Sequence, residues 1–404
     1  MLRLEVTDSI ESPMKKKIIG ITGCRSEYDI IYSVLKEMQK DESFDVSLIV
    51  CGAHLSGNFG YTVSEIEKDG FLIADRIHNL VDSDLEVGKA KGAGLLMVGL
   101  SDSLDRLNPD YVMVVGDREE AVVTGVVCTY LGIPLIHLCG GDSTSPKAGD
   151  VDEPIRHATS KLANLHFVMN EEHRERLLKM GEEPWRIYST GNAALDRYNK
   201  VESMDKKEIL KYFKFNNERD LEKPLVLVIQ HVISGEAADG ARQIENTLEA
   251  TTRLECNCII NYPNSDMGSR EMISVIKNYR KLPNVRVTRN IPREEFVNLL
   301  RNIDLLVGNS SMALLEGSFL RIPAINVGER NRNRMNGGNV VFVEADTSKI
   351  EEMARKILFD KEFSDTLKEC EQVYGDGKAA KKIVDFVKRL DKTKTELIAK
   401  NITY

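Results

Sequence analysis

The chain has 404 residues, of which 42% are hydrophobic and 29% charged, and its formal net charge is −8. A chain of this length and apolar content can bury large cores and is expected to form about two domains. The acidic balance gives no general basic surface that would hold nucleic acid or an anionic membrane. No apolar run reaches the roughly 18 residues of a membrane span, and residues 1–14, predicted as a leader, lack the apolar core of a secretory signal.

The seven cysteines are an odd number spread over the whole chain, and none forms the paired CxxC spacing of a zinc site. Free thiols are expected in a reducing compartment. The sequence therefore predicts a cytoplasmic protein with no metal site and no disulfide framework.

From residue 15, short β-rich apolar runs alternate with helical periods. The predicted strands of the first half are "KKIIGITG", "FDVSLIVCG", "DYVMVVGD" and "IPLIHLCGG", and helices are predicted in "SEYDIIYSVLKEMQK" and over 62–69, 84–107 and 119–131. The pattern pauses in the charged segment 199–223. It restarts with "PLVLVIQH", "CNCIINYP", "NVRVTRN", "IDLLVGNSS", "IPAINVG" and "NVVFVE", between which helices are predicted over 236–254, 268–281, 293–302 and 312–320.

Strand-helix-strand succession of this kind indicates parallel sheets covered by helices on both faces. We therefore predict an α/β fold with two doubly wound, Rossmann-like domains that face each other across a cleft, one over 15–198 and one over 199–375. Helices over 347–359 and 376–392 either close the second unit or return to the first, and 376–404 is assigned to this C-terminal element. Ligands of such sheets bind beyond the carboxyl ends of the strands.

Polar side chains follow the strands of the first half. The turn "GITGCRSEYD" lacks the GxGxxG fingerprint of a dinucleotide site, but it places Arg25 at a helix start, where it suits a phosphate or pairs with a nearby acid. Asp117 and Arg118 follow the strand "VMVVG", although an Asp before a helix is often only an N-cap. His54 occupies a similar loop, where a lone histidine is usually structural.

The strand ends of the second half carry amides, hydroxyls and cations: His231, Asn264, Asn309, Ser310, Ser311, Glu316, Arg330, Arg332 and Arg334. Small hydroxyls at a helix start suit a diphosphate, and an acid further along the helix can accept hydrogen bonds from ribose hydroxyls. The alternative is that these hydroxyls only cap the helix and bind no ligand. The three arginines form either a solvated basic loop or a lid over an anion. Acids in one half and a diphosphate-type site in the other suggest a nucleotide-diphosphate sugar as ligand.

The chain resembles the hydrolysing UDP-N-acetylglucosamine 2-epimerases, which release UDP and N-acetylmannosamine. The resemblance covers about residues 15–390 and depends on motifs in family order: "GCRSEYD", "CGAHLSGNFGYT", "VVGDREEA", "GG" followed by "DxxxRHATSKLA", "STGNAALD", "IQH", "YPNSDMGS", "GNSSMALLEG" and "INVGER". It implies a glycosyltransferase-B-like architecture, a UDP-sugar substrate, no cofactor, no metal, and a homodimer or homotetramer.

Matching motifs carry the family's functional residues to this chain. The chemistry is assigned to Asp117 and Asp152, and His231 acts either in catalysis or at the phosphates. The resemblance implies substrate contacts at Arg25, Asp29, His54, Arg118, Arg156, His157, His231, Asn264, Ile291, Ser310, Ser311, Glu316 and Arg330. The implied mechanism couples removal of the C2 proton to departure of UDP, and water then adds to the glycal with inversion at C2.

One departure from the family falls at Cys139, where the resemblance implies a catalytic Glu before the Gly-Gly pair. A thiol has an unperturbed pKa of about 8.5, against about 4.3 for Glu, so it cannot take over the role without loss. The sequence therefore offers Asp142, three residues further on, as the substitute. Asp152 is favoured among the neighbouring acids because it stands one helical turn before Arg156, whereas Asp150 and Glu153 are expected to cap or solvate the helix start.

Three other functions fit the same residues. A non-hydrolysing epimerase would return the sugar still linked to UDP. A nucleotide-sugar-binding protein would have lost catalysis together with the Glu. A retaining glycosyltransferase would share the architecture.

Overall fold

The computed structural model of the protein describes residues 15–81, 86–144, 151–263 and 268–404. The described part holds two parallel sheets, with strand orders β3-β2-β1-β4-β5-β6-β7 and β10-β9-β8-β11-β12-β13. Both are covered by helices on two faces, as predicted. The leader 1–14 lies outside the described residues.

The first sheet and its helices occupy the N-terminal half. In chain order its elements are β1 (Lys16–Thr22), α1 (Arg25–Gln39), β2 (Phe44–Cys51), α2 (Val63–Lys68), β3 (Leu72–Ile77), α3 (Glu86–Leu107), β4 (Tyr111–Val115), α4 (Glu119–Leu131), β5 (Leu135–Leu138), α5 (Asp152–Leu162), β6 (Leu165–Val168), α6 (Glu171–Lys179), β7 (Ile187–Ser189) and α7 (Leu195–Tyr198). The central strand β4 is buried along its length, and β1 is buried after its first two lysines, because both faces of a parallel sheet are covered.

The second sheet follows the charged segment. Its elements are α8 (Lys206–Tyr212), α9 (Glu218–Glu222), β8 (Leu225–Ile229), α10 (Gly240–Thr252), β9 (Asn257–Asn261), α11 (Ser269–Asn278), β10 (Val285–Thr288), α12 (Arg293–Asn302), β11 (Leu305–Gly308), α13 (Met312–Leu315), α14 (Gly317–Leu320), β12 (Ala324–Val327), β13 (Val340–Val343), α15 (Thr347–Phe359), α16 (Lys361–Lys368), α17 (Ala379–Arg389) and α18 (Lys394–Ile398).

One predicted pause and two predicted helices differ from the observed structure. The segment 199–223, where the strand-helix pattern was expected to pause, holds the short helices α8 and α9. A capping box formed by Asp205 and Glu208 starts α8. The predicted helix over 312–320 is broken at Glu316, whose φ of −121° interrupts the helical backbone. The regular part of the helix predicted over 236–254 begins only at Gly240.

Helix α17 lies against α1 of the N-terminal half, whereas α15 packs on α10 of the second half. Asp196 in α7 accepts hydrogen bonds from the backbone N–H groups of Ala379 and Ala380 at 2.9 and 2.7 Å, so it caps the first turn of α17. Lys16 Nζ at the start of β1 donates to the carbonyl of Val387 at 2.9 Å. The returning chain thus joins both halves, while the proposed domain boundaries at 198/199 and 375/376 stay predictions.

The chain end continues this attachment. Arg186 is 1% exposed and donates to the carbonyls of Leu397 and Ala399 at 2.8 and 2.7 Å. Lys400 Nζ forms an ion pair with Glu182 at 2.7 Å. No described helix is long and apolar enough to cross a membrane.

Candidate active site

A cleft of about 840 Å³ lies between the carboxyl ends of the two sheets. Most of the predicted site residues line it: Arg25, Asp29, Asp117, Arg118, Cys139, Asp142, Asp152, Arg156, His231, Ile291, Ser310, Ser311, Glu316 and Arg330. The parallel topology explains this convergence, because the ends of all strands of one sheet meet at one edge.

Asp117 stands at the end of β4 and forms an ion pair with Arg156 of α5. Gly116 before it has φ of 70°, which lets the chain turn sharply into the cleft. Arg156 is 1% exposed, and its Nη2 donates to Asp117 Oδ2 while its Nη1 donates to the Asp142 carbonyl at 3.2 Å. Burial alone would raise the pKa of Asp117, but Arg156 and Arg334 outweigh it, so the pKa is lowered and the group is ionised.

Asp142 is 3% exposed and is bound by an arginine of the opposite half. Arg334 donates to Asp142 Oδ2 from Nε at 2.9 Å and from Nη2 at 2.6 Å. Burial opposes the charge on Asp142, yet Arg334 and Arg156 hold its pKa well below the usual range. The preceding Gly141 has φ of 75°, and a Cβ there would stand 2.3 Å from the His173 carbonyl oxygen.

Cys139 lies between these two ion pairs. It is 8% exposed and has φ of 65°, an uncommon conformation for a residue with a side chain. Burial and the charges of Asp142 and Asp117 raise its thiol pKa to about 12. The thiol is therefore neutral at physiological pH and cannot act as a general base.

Glu153 connects the start of α5 to the loop before it. Its Oε1 accepts from the Thr144 hydroxyl at 2.9 Å and from Arg156 Nη1 at 3.0 Å. This corrects the expectation that Glu153 caps or solvates the helix start, because its side chain is 14% exposed and bonds to Thr144 and Arg156 instead. Asp150 lies outside the described residues.

Two histidines predicted at the substrate are not among the residues that line the cleft. His54 is fully buried, and its ring nitrogens lie 3.0 Å from the Thr22 hydroxyl and 2.7 Å from the Thr62 hydroxyl. Burial lowers its pKa to about 4, so it is a neutral structural residue. The side chain of His157 is 49% exposed on α5 and lies 3.4 Å from Glu153. Both corrections arise because a loop or helix position does not fix the direction of the side chain.

The end of the cleft at the second sheet is built from cross-domain contacts. Arg25 Nη2 donates to the Ile291 carbonyl at 2.9 Å. Asp29 is paired with Arg197 at 3.0 Å and with Arg293 at 3.1 Å. Burial opposes the charge of Asp29, but the two arginines lower its pKa.

The loop after β11 is held by buried amides. The Asn309 side chain accepts from the His231 backbone N–H at 2.7 Å and donates to its carbonyl at 2.8 Å, which fixes the end of β8. Arg330 donates to the Asn309 carbonyl at 3.3 Å. Burial raises the pKa of Glu316 to about 7. Asn264 lies outside the described residues.

The sequence did not identify Arg293 and Arg334 as site residues. The three arginines after β12 were expected to form one solvated loop or lid. Arg332 is half exposed and is paired with Glu329 at 2.6 Å, whereas Arg334 is 8% exposed at the cleft. Their alternation with asparagines resembles a solvated loop, and no local signal separates the buried arginine from the exposed one. No group of three metal-ligating side chains was found among the described residues.

Two facing doubly wound domains with an ion-paired cleft define the glycosyltransferase-B-like class of fold. The profile of the UDP-N-acetylglucosamine 2-epimerase family matches residues 36–388, and the chain belongs to this family. It is 31% identical to the UDP-N,N'-diacetylbacillosamine 2-epimerase (hydrolyzing) of Legionella pneumophila, over 93% of this chain and 97% of that protein.

Other relatives agree with this assignment. The GDP/UDP-N,N'-diacetylbacillosamine 2-epimerase (hydrolyzing) of Campylobacter jejuni is 31% identical over 82% of this chain and 85% of its own. The crystal structure of the Neisseria meningitidis UDP-GlcNAc 2-epimerase bound to UDP-GlcNAc superposes with a TM-score of 0.78 at 19% identity, over 93% of this chain and all of the other. The fold is shared, and family membership makes the chain a 2-epimerase of UDP-linked sugars.

Proposed function

We propose that the protein is a hydrolysing 2-epimerase, which converts a UDP-N-acetylglucosamine-type sugar nucleotide into UDP and a free N-acetylmannosamine-type sugar. One observation carries this proposal. Asp117 and Asp142 face the cleft from adjacent strand ends, and each is kept ionised by an arginine. The two relatives at 31% identity, both named as hydrolysing, support the same reaction.

Two ionised carboxylates at the sugar suit an elimination followed by hydration. In the first step a carboxylate removes the C2 proton, the C1–O bond breaks, and UDP leaves with the bonding electrons as the C1=C2 double bond forms. In the second step the carboxylate on the opposite face takes a proton from water and delivers it to C2, while the oxygen of that water adds to C1. The proton removed in the first step passes from the first carboxyl group to solvent. We assign the proton transfers to Asp142 and Asp117, with Asp152 beside them on α5.

Departure of UDP places negative charge on the diphosphate. Arg25 and Arg118 line the cleft from the first half, and Arg330 lines it from the second. Guanidinium groups stabilise this charge as it develops, which lowers the barrier to C1–O cleavage. His231 at the end of β8 is assigned to the diphosphate, and Ser310 and Ser311 to its oxygens.

The sugar itself is proposed to carry a second acetamido group. The two hydrolysing relatives are named for a diacetylated sugar. The cleft is also lined by the apolar side chains of Ala93, Val122 and Ile155. An apolar wall suits acetamido methyl groups and leaves buried hydroxyls without partners, which favours a sugar with fewer hydroxyls than N-acetylglucosamine.

The predicted homodimer or homotetramer stays a prediction. It is supported by the exposed apolar side chains of Val87, Leu95 and Val98 on α3, which are 53%, 53% and 66% exposed. Exposed apolar side chains on one helix often mark a contact with another chain.

The reaction is tested by incubating the protein with UDP-N-acetylglucosamine, and separately with a UDP-2,4-diacetamido sugar, in D₂O. Proton NMR is expected to show free UDP and a free manno-configured sugar with deuterium at C2, formed faster from the diacetamido donor. A product that keeps its UDP would establish the non-hydrolysing reaction. UDP binding with no turnover of either donor would instead establish a binding protein.

Replacing Cys139 with Ser is expected to change kcat/KM by less than about tenfold, or about 1.4 kcal/mol of activation free energy. The neutral thiol is assigned no proton transfer, so only its packing is lost. Steady-state kinetics check this, and restoration of a carboxyl group with Cys139→Glu is expected to give no gain. A loss beyond about a hundredfold in Cys139→Ser would show that the thiol takes part in the chemistry.

A further inference from the structure

Two acidic side chains, Glu27 and Glu120, are buried behind Arg118 at the edge of the cleft. Each is 4% exposed. Glu27 Oε2 accepts hydrogen bonds from the backbone N–H groups of Gly23 at 2.7 Å and Cys24 at 3.3 Å. In the described part of the chain, however, no hydrogen-bond donor reaches Glu27 Oε1 or Glu120 Oε2. Buried carboxylate oxygens are normally satisfied, so these two require an explanation.

Two glycines make room for the carboxyl group of Glu120. A Cβ at Gly23 would stand 1.8 Å from Glu120 Oε1, and a Cβ at Gly52 would stand 2.9 Å from the same atom. Glu120 therefore packs directly against the glycine whose N–H binds Glu27. The carboxyl groups of α1 and α4 thus meet at Gly23, the glycine that follows β1.

The charges around this glycine do not balance if every acid is ionised. Arg118 lies 3.8 Å from Glu120 and 4.0 Å from Glu119, and Lys89 of α3 is paired with Glu119 at 3.2 Å. Among the described residues, two cations thus face the three carboxyl groups of Glu27, Glu119 and Glu120.

Two thiols also face this group. Burial first, and the neighbouring acids second, raise the pKa of Cys24 to about 12 and that of Cys51 well above its usual value, so both are neutral. One surplus negative charge would remain in a buried site, which is unfavourable.

A single proton removes the surplus charge and supplies one of the missing donors. Burial and the charge of Glu120 raise the pKa of Glu27 well above its usual value. Burial and the charge of Glu119 raise the pKa of Glu120 to about 7. The unsatisfied oxygens and the charge count of the described residues both favour a state in which the two acids are not both ionised.

We propose that Glu27 and Glu120 share one proton, and that this pair positions Arg118 and couples its charge to the binding of a nucleoside diphosphate. The coupling depends on the proposed function, because it requires the diphosphate of a UDP-sugar to lie at Arg118. The added negative charge of the diphosphate draws a proton onto the pair. Neither acid needs to contact the reacting atoms, so both are positioning residues.

The sign of the pH effect follows from this coupling. While the pair holds its proton, its one remaining charge and that of Glu119 balance the charges of Arg118 and Lys89. As the pH rises above neutrality the pair loses the proton, and the surplus negative charge weakens diphosphate binding. Linkage allows the affinity to fall by up to about tenfold per pH unit for one coupled proton.

The test is isothermal titration calorimetry of the full-length protein with UDP at pH 7.5, in phosphate and in Tris buffer. These buffers differ in ionisation enthalpy, so the two heats give the number of protons taken up. Wild type is expected to take up about 0.5 proton more than Glu120→Gln. Protons exchanged by UDP itself cancel in this difference. Glu67→Gln is the control, because Glu67 is a surface acid paired with Arg76 and is expected to match wild type.

A second measurement needs no ligand. Infrared difference spectra of the free protein between pH 6 and 8 are expected to show a protonated carboxyl band that is absent in Glu120→Gln and in Glu27→Gln. Equal bands in all three proteins would overturn the shared proton. If the band is present but the calorimetric difference is zero, the coupling is overturned. If UDP does not bind wild type at all, the proposed function fails while the band still reports on the pair.

Discussion

Replacing Asp142 with Asn is expected to lower kcat/KM by about 10² to 10⁴, the usual range for loss of a general acid or base. The amide keeps the size of the side chain but cannot accept a proton from C2. UDP affinity is expected to change little, because Asp142 is assigned to the sugar. Steady-state kinetics with the sugar nucleotide and calorimetry with UDP measure the two quantities on the same preparation.

The same substitution also removes the partner of Arg334, so a second variant must separate chemistry from domain contact. Arg334→Gln breaks the same 2.6 Å ion pair but leaves the carboxylate. We expect it to retain far more activity than Asp142→Asn. Arg334 lowers the pKa of Asp142, so its removal raises that pKa. As the pH is lowered, the variant should therefore lose activity at a higher pH than wild type does. Equal losses in the two variants would show that Asp142 acts only through the ion pair.

The fold and the position of the cleft could be predicted because they follow from local patterns. Apolar runs such as β1 and β4 predict buried parallel strands, and parallel strands place the residues after them at a common edge. Arg25, Asp117 and Ser310 were found in this way. The edge strand β3 was not predicted, because only Ile77 of its six residues is buried and its apolar signal is weak.

The pairing of side chains could not be predicted in the same way. Asp142 and Arg334 are 192 residues apart in sequence, and their contact exists only because the two domains face each other. His54 shows the converse. Its loop lies at a strand end as expected, but its ring turns inward to Thr22 and Thr62 instead of toward the cleft. Strand order gives the place of a residue, whereas tertiary packing gives the direction of its side chain.

The position and charge of Asp142 also change how Cys139 is interpreted. The sequence suggested a lost acid at Cys139 with Asp142 as its substitute. Asp142 is ionised beside Arg334 and Arg156, so the cleft still contains two carboxylates and does not depend on the thiol. This favours an active enzyme over a binding protein that has lost its chemistry.

Replacing Arg156 with Met is expected to destabilise the N-terminal half by about 3 kcal/mol. Arg156 is 1% exposed, and its removal leaves the charge of Asp117 without its main partner. The single tryptophan of the chain, Trp185, lies in this half between α6 and β7. Thermal unfolding followed by tryptophan fluorescence therefore reports on the domain that contains the ion pair, and a fall in Tm of about 6 to 12 °C is expected.

A double-mutant cycle gives this experiment its control. In Asp117→Asn the partner is neutral, so adding Arg156→Met to that background should cost much less than it costs in wild type. The pH dependence of the stability lost in Arg156→Met provides a second check. Arg156 lowers the pKa of Asp117, so its loss raises that pKa, and Asp117 in Arg156→Met becomes protonated as the pH falls. The deficit should therefore be largest above neutrality and shrink toward pH 5. The loss of stability in Arg156→Met could instead be equal above neutrality and at pH 5, and equal in the Asp117→Asn background. Arg156 would then stabilise the fold through its hydrogen bonds with Glu153 and the Asp142 carbonyl.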